Sequence, residues 1–453
     1  MSGSRVCVID IPGLSRPLLE HVPHNSALGR FLSTRAVANL RPTRPAVTCS
    51  IQATLTTGRR PRDHGIIANG LPTFGSAIDQ SRVDADAFAP YRKTISFWEQ
   101  SNQFLDVPRF WQEPNGSSKW RTALICMQHS MPGFIPPLRP AADIVLTPKP
   151  DHRPDGTMSL CWSEPADLVP RLFSQFGPFP LMNYWGPMAG IASSIWIAKA
   201  SAFVWQQLQP QLQWSYIPHL DYDLQRFGPD SPQAIAAVKD MSSAVEPLVD
   251  AVLKDSAGSR LIVLSEYAIH PVDTFIQPNR LLAKGGMLKT RKTPDGNLID
   301  TEASDAFAMV DHQIAHIYCK GPEAADEASD LLGAGHRLEV LRPDAAGLDH
   351  RRSGDLILLA PKDAWFGYRW WSDPADAPTF ANQIDIHRKP GYDPLELFWD
   401  KPPKTISQDP SKVRGSHGRS DNAEAIIAAD RMPSNEIDAT GVRDIIEDAL
   451  SQG

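Results

Sequence analysis

Cysteine is scarce in this chain of 453 residues: there are five, at positions 7, 49, 126, 161 and 319, odd in number and never in C-x-x-C spacing. That argues against a thiolate zinc site and a disulfide framework, and the expectation is reduced thiols in a cytoplasmic setting. A long apolar run is also missing; none approaches the roughly 20 residues that span a bilayer, so no membrane partner is expected. The opening Met-Ser-Gly-Ser-Arg passes straight into Val6-Cys7-Val8-Ile9 without the hydrophobic region or cleavage site of a signal peptide. Basic excess is absent: 45 Lys+Arg against 52 Asp+Glu give a net charge of −7, which argues against a nucleic-acid surface. There is no G-x-G-x-x-G or Walker pattern, so dinucleotide and P-loop enzymes are disfavoured. Internal repeats, heptad runs and low-complexity tails are missing too.

What is present is an ordinary globular balance, 42% hydrophobic and 21% charged, over a length that suits two or three domains or one large α/β domain with insertions. Short apolar runs at 6–11, 122–127, 143–146, 261–264 and 425–429 read as buried strands. Helical segments are expected at 193–207, 232–253 and 323–332, with a last helix over 441–450 capped by Thr440. Strands alternating with helices predict a mostly parallel sheet covered by helices, whose reactive residues gather at the carboxyl ends of the strands. Proline is abundant, 41 residues, and marks 106–154 as a peripheral excursion and 390–413 as a long loop returning to the core. The expected organisation is a core over 1–270, an inserted subdomain over 271–410, and a second core part over 411–453.

Several polar residues stand just after these strands. Asp10 ends Val-Cys-Val-Ile-Asp, Asp221 follows the run 214–220, read as a strand, and Glu266 follows Leu-Ile-Val-Leu-Ser. One such carboxylate opens a turn. Three at the ends of strands of one sheet suggest a cation site, because converging carboxylates must otherwise be protonated or held apart. His417, in Gly-Ser-His-Gly-Arg, adds an imidazole, and imidazole with carboxylates suits zinc, manganese or iron. Thr48 precedes the helical stretch 51–57. Alone it reads as an N-cap, but a hydroxyl at a helix N-terminus also suits a nucleophile toward phosphate. Asn69, in Asn-Gly, reads as a turn residue or as an amide donor to a substrate oxygen.

The order Asp10 … Thr48 … Arg-Asp-His-Gly-Ile-Ile-Ala-Asn … Asp221 … Phe-Gly-Pro … Ser-Glu-Tyr … Gly-Ser-His-Gly resembles the type I phosphodiesterase/nucleotide pyrophosphatase family of the alkaline phosphatase superfamily. The likeness covers nearly the whole chain, and 48–70 is its most specific part. The resemblance implies an alkaline-phosphatase-like three-layer α/β/α sandwich with a mostly parallel central sheet and an inserted subdomain. It also implies a metal-dependent hydrolase of phosphate diesters, pyrophosphates or phosphonates, with a Thr nucleophile and a phosphothreonine intermediate. Carried onto this chain, Thr48 is nucleophile and metal ligand, Asp10 binds the same metal, and Asn69 steadies the phosphoryl oxygens. Asp221 and His417 fall where two ligands of the other metal belong. The implied cofactor is a divalent metal, zinc first and manganese or magnesium next, as one or two ions; the implied partner is a small phosphate or phosphonate ester.

The chain departs from that pattern where the family has Asp followed four residues later by His, since Asp221 is followed by Gln225. It also departs where the family has Asp-His after a strand, since Glu266-Tyr267 stands there. Gln offers a weak neutral oxygen, and Tyr binds metal well only as phenolate, against an ordinary pKa of about 10. Two of three imidazoles implied by the resemblance are therefore replaced. His387, in Asp-Ile-His-Arg-Lys-Pro-Gly-Tyr-Asp, is a candidate to compensate, and His219 would share a face with Asp221 on a continued strand. His312 and His316 lie in a run that reads as strand and do not form a ligand pair. His64 and Asp63 resemble the structural turn after the nucleophile helix. A second reading is a member of the family with a degenerate metal site that binds a phosphorylated metabolite or a partner without hydrolysis.

Overall fold

The computed structural model describes residues 4–72, 95–113, 117–133, 139–152, 158–255, 258–335, 337–386, 389–400, 402, 404–421 and 424–452. The strands of its two larger sheets run β1 (Val6–Asp10), β2 (Ala36–Arg41), β3 (Thr122–Ile125), β4 (Ile144–His152), β5 (Met158–Glu164), β6 (Leu212–Tyr216), β7 (Arg260–Leu264), β8 (Ala306–Asp311), β9 (Ile314–Cys319), β10 (Glu339–Leu341), β11 (Leu356–Leu359), β12 (Ala425–Ala429) and β13 (Glu436–Asp438). The continuous apolar runs in β1 and β7 suit strands covered on both faces. Every residue of β1 and β6 is buried. They meet in a nine-stranded sheet ordered β13-β2-β12-β7-β1-β6-β3-β4-β5, in which only β12 and β5 run against the rest.

Register explains where the site lies. Asp10 pairs with Tyr216 of β6 on one side and Leu264 of β7 on the other, so three parallel strands end at one level. The residues that follow them, including Glu266 and Tyr267, emerge together. The helices α1 (Thr48–Thr57), α2 (Ile191–Gln207), α3 (His219–Phe227), α4 (Pro232–Leu253), α5 (Pro322–Gly333) and α6 (Val442–Ser451) complete the main elements. The α2 and α4 helices pack on each other, and α6 packs on α1 and β1. A smaller antiparallel sheet, β8-β9-β11-β10, stands in the chain between β7 and β12. It shares a buried apolar cluster with Cys49, Ala53 and Ile66 from the region of α1.

Three sequence expectations differ from the structure. The strands expected near 122–127 and 143–146 form as β3 and β4, but they are strands of the central sheet, so this stretch is not the peripheral excursion expected for 106–154. The run 214–220 is not one strand: β6 stops at Tyr216, and Pro218 is the N-cap of α3. Proline lacks the N–H that a continued ladder needs and is tolerated where a helix begins. The last helix begins at Val442, as expected near 441, but Thr440 does not cap it. Instead the Asp438 carboxylate accepts from the Thr440 amide at 3.1 Å and hydroxyl at 2.7 Å, holding a short 3-10 turn before the helix.

Candidate active site

Thr48 opens α1, a helix buried along its whole length. Its sequence TCSIQATLTT is rich in hydroxyls, which a buried helix must satisfy. Thr54, Thr56 and Thr57 do so by donating back to the carbonyls of Ser50, Gln52 and Ala53, four residues earlier. Gly58, left-handed at φ 67°, ends the helix. Val47 at the N-cap has no side-chain acceptor to offer. The Asn69 side-chain carbonyl supplies one from another loop, accepting the Cys49 N–H at 2.9 Å.

Asn69 is itself clamped. Its backbone N–H and side-chain amide donate to the two oxygens of Asp311, at 2.7 and 3.0 Å. Asp311 ends β8, and His312 and Gln313 form the two-residue turn into β9. His312 takes φ 59° there, a left-handed conformation without glycine. Its Nδ1 lies 2.7 Å from Asp311 Oδ1, and the Gln313 backbone N–H donates to the His417 carbonyl at 2.9 Å. The hairpin tip thus braces both Asn69 and His417.

Asp10 and Glu266 are fully buried and face each other closely enough to share a proton. Gln52, one turn after Thr48 on the same side of α1, donates to Glu266 Oε1 at 2.6 Å. Trp214 Nε1 lies 3.4 Å from Asp10 Oδ2. Asp10 Oδ1 and Glu266 Oε2 have no donor. Burial pushes the Asp10 carboxyl up to about 7. Burial and the neighbouring Asp10 push Glu266 well up. Two buried carboxyls with an orphaned oxygen each require a shared proton or a cation between them.

Tyr267 continues from Glu266. Its backbone carbonyl accepts from the Ser265 hydroxyl and the Gly13 amide. Gly13 sits at φ 85°, and a Cβ there would come within 2.7 Å of Leu224 Cδ1, so the turn after Asp10 requires glycine. The Tyr267 hydroxyl stands 2.9 Å from Thr48 Oγ1 and 3.3 Å from Asp221 Oδ1. Its single proton goes to the carboxylate, so Thr48 is the donor in the shorter bond and keeps its lone pairs free. Burial holds the Tyr267 phenol well above the ordinary range, as do the charges of Asp221 and Glu266.

Asp221 lies in the first turn of α3, where the helix dipole favours an acid, and burial pushes it up to about 7. Its Oδ2 accepts from the Gln225 amide at 2.7 Å, one turn later. The Gln225 carbonyl accepts from the Tyr392 hydroxyl at 2.7 Å. Four rings then form a column: Tyr392 on His312, His312 on His417, and His417 on Tyr267, each step 3.7 Å between centroids. His417 Nδ1 binds the Ala46 carbonyl at 2.7 Å, leaving Nε2 at 3.7 Å from Asp221 Oδ1. Burial holds His312 and His417 well below the usual imidazole range. The column and the hydrogen bonds Tyr392–Gln225–Asp221–Tyr267 close into one ring.

The structure therefore brings Asp10, Thr48, Asn69, Asp221, Gln225, Glu266, Tyr267 and His417 into one region. His387 lies outside the described residues. His219 opens α3 with its ring 3.8 Å from Asp223 instead of beside Asp221, because two helical residues diverge where two strand residues would align. His316 bonds the Ile67 carbonyl and the Gly354 amide, a structural role. Sequence reasoning missed Asp311, His312, Gln52 and Tyr392. The available signal was Asp-His-Gln as a hairpin turn with no glycine. Next to Tyr392 is a small cavity walled by Trp98 and Trp185, where buried Lys389 pairs with Asp393 at 2.9 Å and Glu396 at 2.6 Å.

The two halves of the region differ in their fitness for a cation. Asp10, Glu266 and Thr48 present three oxygens with free lone pairs, a donor set that suits magnesium, manganese or zinc. In the other half Asp221 is satisfied by two neutral donors. Gln225 turns its amide toward Asp221, since the flipped amide would set oxygen against carboxylate. Only Asp221 and His417 remain there as ligands. Among the described residues, no group of three or more His, Cys, Asp or Glu converges as a ligand set.

The family model for type I phosphodiesterase/nucleotide pyrophosphatase matches residues 6–393. No curated protein matches the chain. Among solved structures, the chain is similar to murine ectonucleotide pyrophosphatase/phosphodiesterase 5, at 15% identity and TM-score 0.59 over 99% of this chain and 95% of that one. It is similar to phosphonoacetate hydrolase from Sinorhizobium meliloti 1021 in complex with phosphonoformate, at 14% identity and TM-score 0.60 over 99% and 96%. An inactive variant of the murine enzyme in complex with AMP matches at 15% identity and TM-score 0.59, over 99% and 95%. These likenesses show the alkaline-phosphatase-like fold, with its large, mostly parallel sheet. The match over most of its length shows that the chain belongs to the type I phosphodiesterase/nucleotide pyrophosphatase family, as a phosphodiesterase/pyrophosphatase-like hydrolase.

Proposed function

We propose that this chain hydrolyses a small phosphate diester, pyrophosphate or phosphonate through covalent catalysis at Thr48. The observation that carries the reading is the Thr48 hydroxyl at the head of buried α1. It is held as a donor by Tyr267, and its helix is tied to Glu266 through Gln52. Thr48 Oγ1 attacks phosphorus, the Oγ–P bond forms, and the bond from phosphorus to the leaving group breaks. The proton of Thr48 has a path through the Tyr267 phenol to Asp221. Asn69, fixed by Asp311 and Cys49, has one amide hydrogen left for a phosphoryl oxygen. Water then cleaves the phosphorylated threonine, returning the hydroxyl and releasing the phosphoryl group with its remaining substituent, a phosphate monoester from a diester or pyrophosphate and a phosphonate from a phosphonate ester. A divalent cation held by Asp10, Glu266 and Thr48 would supply Lewis-acid stabilisation of charge on the phosphoryl oxygens. Small phosphorylated and phosphonate ligands in the similar solved structures support this substrate class.

Rapid acid quench of the enzyme mixed with a labelled diester tests the reading. Label should appear on Thr48, and Thr48→Ala should abolish both trapping and turnover while the melting temperature stays within a few degrees. Turnover that survives Thr48→Ala overturns the nucleophile. The closed ring around Asp221 favours one alternative, a protein that binds the phosphorylated ligand without turnover. Calorimetric binding of an unhydrolysed diester with no product formed would select it.

A further inference from the structure

We infer that this chain holds a single divalent cation, between Asp10 and Glu266 beside Thr48, and that hydrogen bonds stand in for a second one around Asp221. The inference deepens the proposed chemistry and rests on the same site, but it concerns ion binding and does not depend on turnover.

The first half carries the mark of a cation site. Asp10 and Glu266 are both 0% exposed, and Asp10 Oδ1 and Glu266 Oε2 are buried without a donor. Every other oxygen of the pair is engaged, by Gln52 and by Trp214. Such selective satisfaction leaves one buried oxygen on each of these two neighbouring carboxylates without a hydrogen-bond partner. Thr48 adds a third oxygen, its lone pairs free because its proton lies toward Tyr267.

The second half is built the opposite way. A cation there needs lone pairs from Asp221 and residue 225 together with His417, and no hydrogen-bond donor aimed at the same carboxylate. Gln225 presents N–H to Asp221 and spends its carbonyl on Tyr392. Tyr267 presents O–H to the same carboxylate. Two hydrogen-bond donors therefore face the point where a cation would sit. Donor hydrogens repel a cation, and they do for Asp221 what it would do. The stack Tyr392–His312–His417–Tyr267 fixes both hydroxyls in place. An imidazole at 225 or 267 would offer a lone pair instead, which is the physical content of the two replacements.

The test counts ions. Full-length protein is stripped with chelator, titrated calorimetrically with Mn2+ or Zn2+, and analysed for metal after gel filtration. Wild type should bind one ion per chain. Asp10→Asn and Glu266→Gln should each lose it, with a cooperative melt preserved, and Asp221→Asn should keep it. The double substitution Gln225→His and Tyr267→His should raise the count to two. Two ions or none in wild type overturns the inference, and so does loss of the ion in Asp221→Asn. A double variant that stays at one ion overturns the role given to Gln225 and Tyr267. If the Asp10 and Glu266 variants do not fold, an equal metal-induced rise in melting temperature for wild type and Asp221→Asn decides the same point. An unequal rise goes against it. Failure of phosphothreonine trapping with one ion bound would reject the chemistry and leave the count standing.

Discussion

Tyr267 and Thr48, 219 positions apart in sequence, share a buried hydrogen bond of 2.9 Å, with the threonine as donor when the phenol gives its proton to Asp221. The phenol reaches Thr48 from one side and Asp221 from the other, coupling α1 to α3 through the loop after β7. Tyr267→Phe keeps the stack on His417 but takes the donor from Asp221 and the acceptor from Thr48. Stability should fall by about 1–3 kcal/mol, the cost of leaving a buried partner unsatisfied, read as a shifted denaturant midpoint at constant slope. Turnover of bis-p-nitrophenyl phosphate should fall with it. Unchanged stability and rate would remove the hydroxyl from the account.

Asp311 touches neither Thr48 nor the carboxylate pair, yet it accepts from Asn69 twice and lies against His312. Asp311→Asn sets a donor where donors already point. We expect kcat to fall by about 100-fold, the typical effect of a catalytic group displaced by an ångström, while KM changes little. Lost ground-state affinity with kcat intact would mean that Asn69 holds substrate without steadying the reacting oxygens.

Much of this site was legible because its parts sit in short stretches with strong local signals. Asp10, Glu266 and the run into His417 lie beside continuous apolar strands, and Thr48 stands before a helix. Asp221 was placed in the right region on the wrong element, because Trp-Ser-Tyr-Ile reads on as strand until Pro218 interrupts the ladder. His312 was passed over for a different reason. Its role comes from a left-handed turn and from stacking on residues 80 and 105 positions away, Tyr392 and His417, which no local pattern records. The replacements Gln225 and Tyr267 were visible as single letters, but their mutual bonding through Asp221 required the fold.

Lys389 is buried between Asp393 and Glu396, and Glu396 also accepts from the Trp185 indole at 2.8 Å. Removing the cation leaves two carboxylates facing each other without charge compensation. Lys389→Met should cost about 3–5 kcal/mol, measured by chemical denaturation. Adding Glu396→Gln should recover part of it, since only one carboxylate then remains. Full additivity of the two substitutions would show that the ion pair is not coupled.

His64 is buried, with Nε2 at 3.0 Å from the Thr54 hydroxyl and Nδ1 accepting the Ile66 amide at 3.1 Å. Burial first, then the neighbouring His129, His350 and Arg352, lower it to about 3. The unfolded chain returns it to about 6.5, so below that pH the unfolded state binds the extra proton. Stability is therefore lost as pH falls from 6.5 toward 3. Asp10 and Asp221, raised to about 7, act in the opposite sense over part of that range, so the pH profile of wild type alone does not isolate the histidine. The difference between wild type and His64→Gln does, because the carboxylates cancel. The variant should be less stable at pH 7.5 through its weaker bonds to Thr54 and Ile66. That deficit should shrink by about 2 kcal/mol at pH 5, where the wild-type unfolded chain gains its proton and the variant does not. A deficit equal at both pH values would mean that His64 is charged in the folded protein.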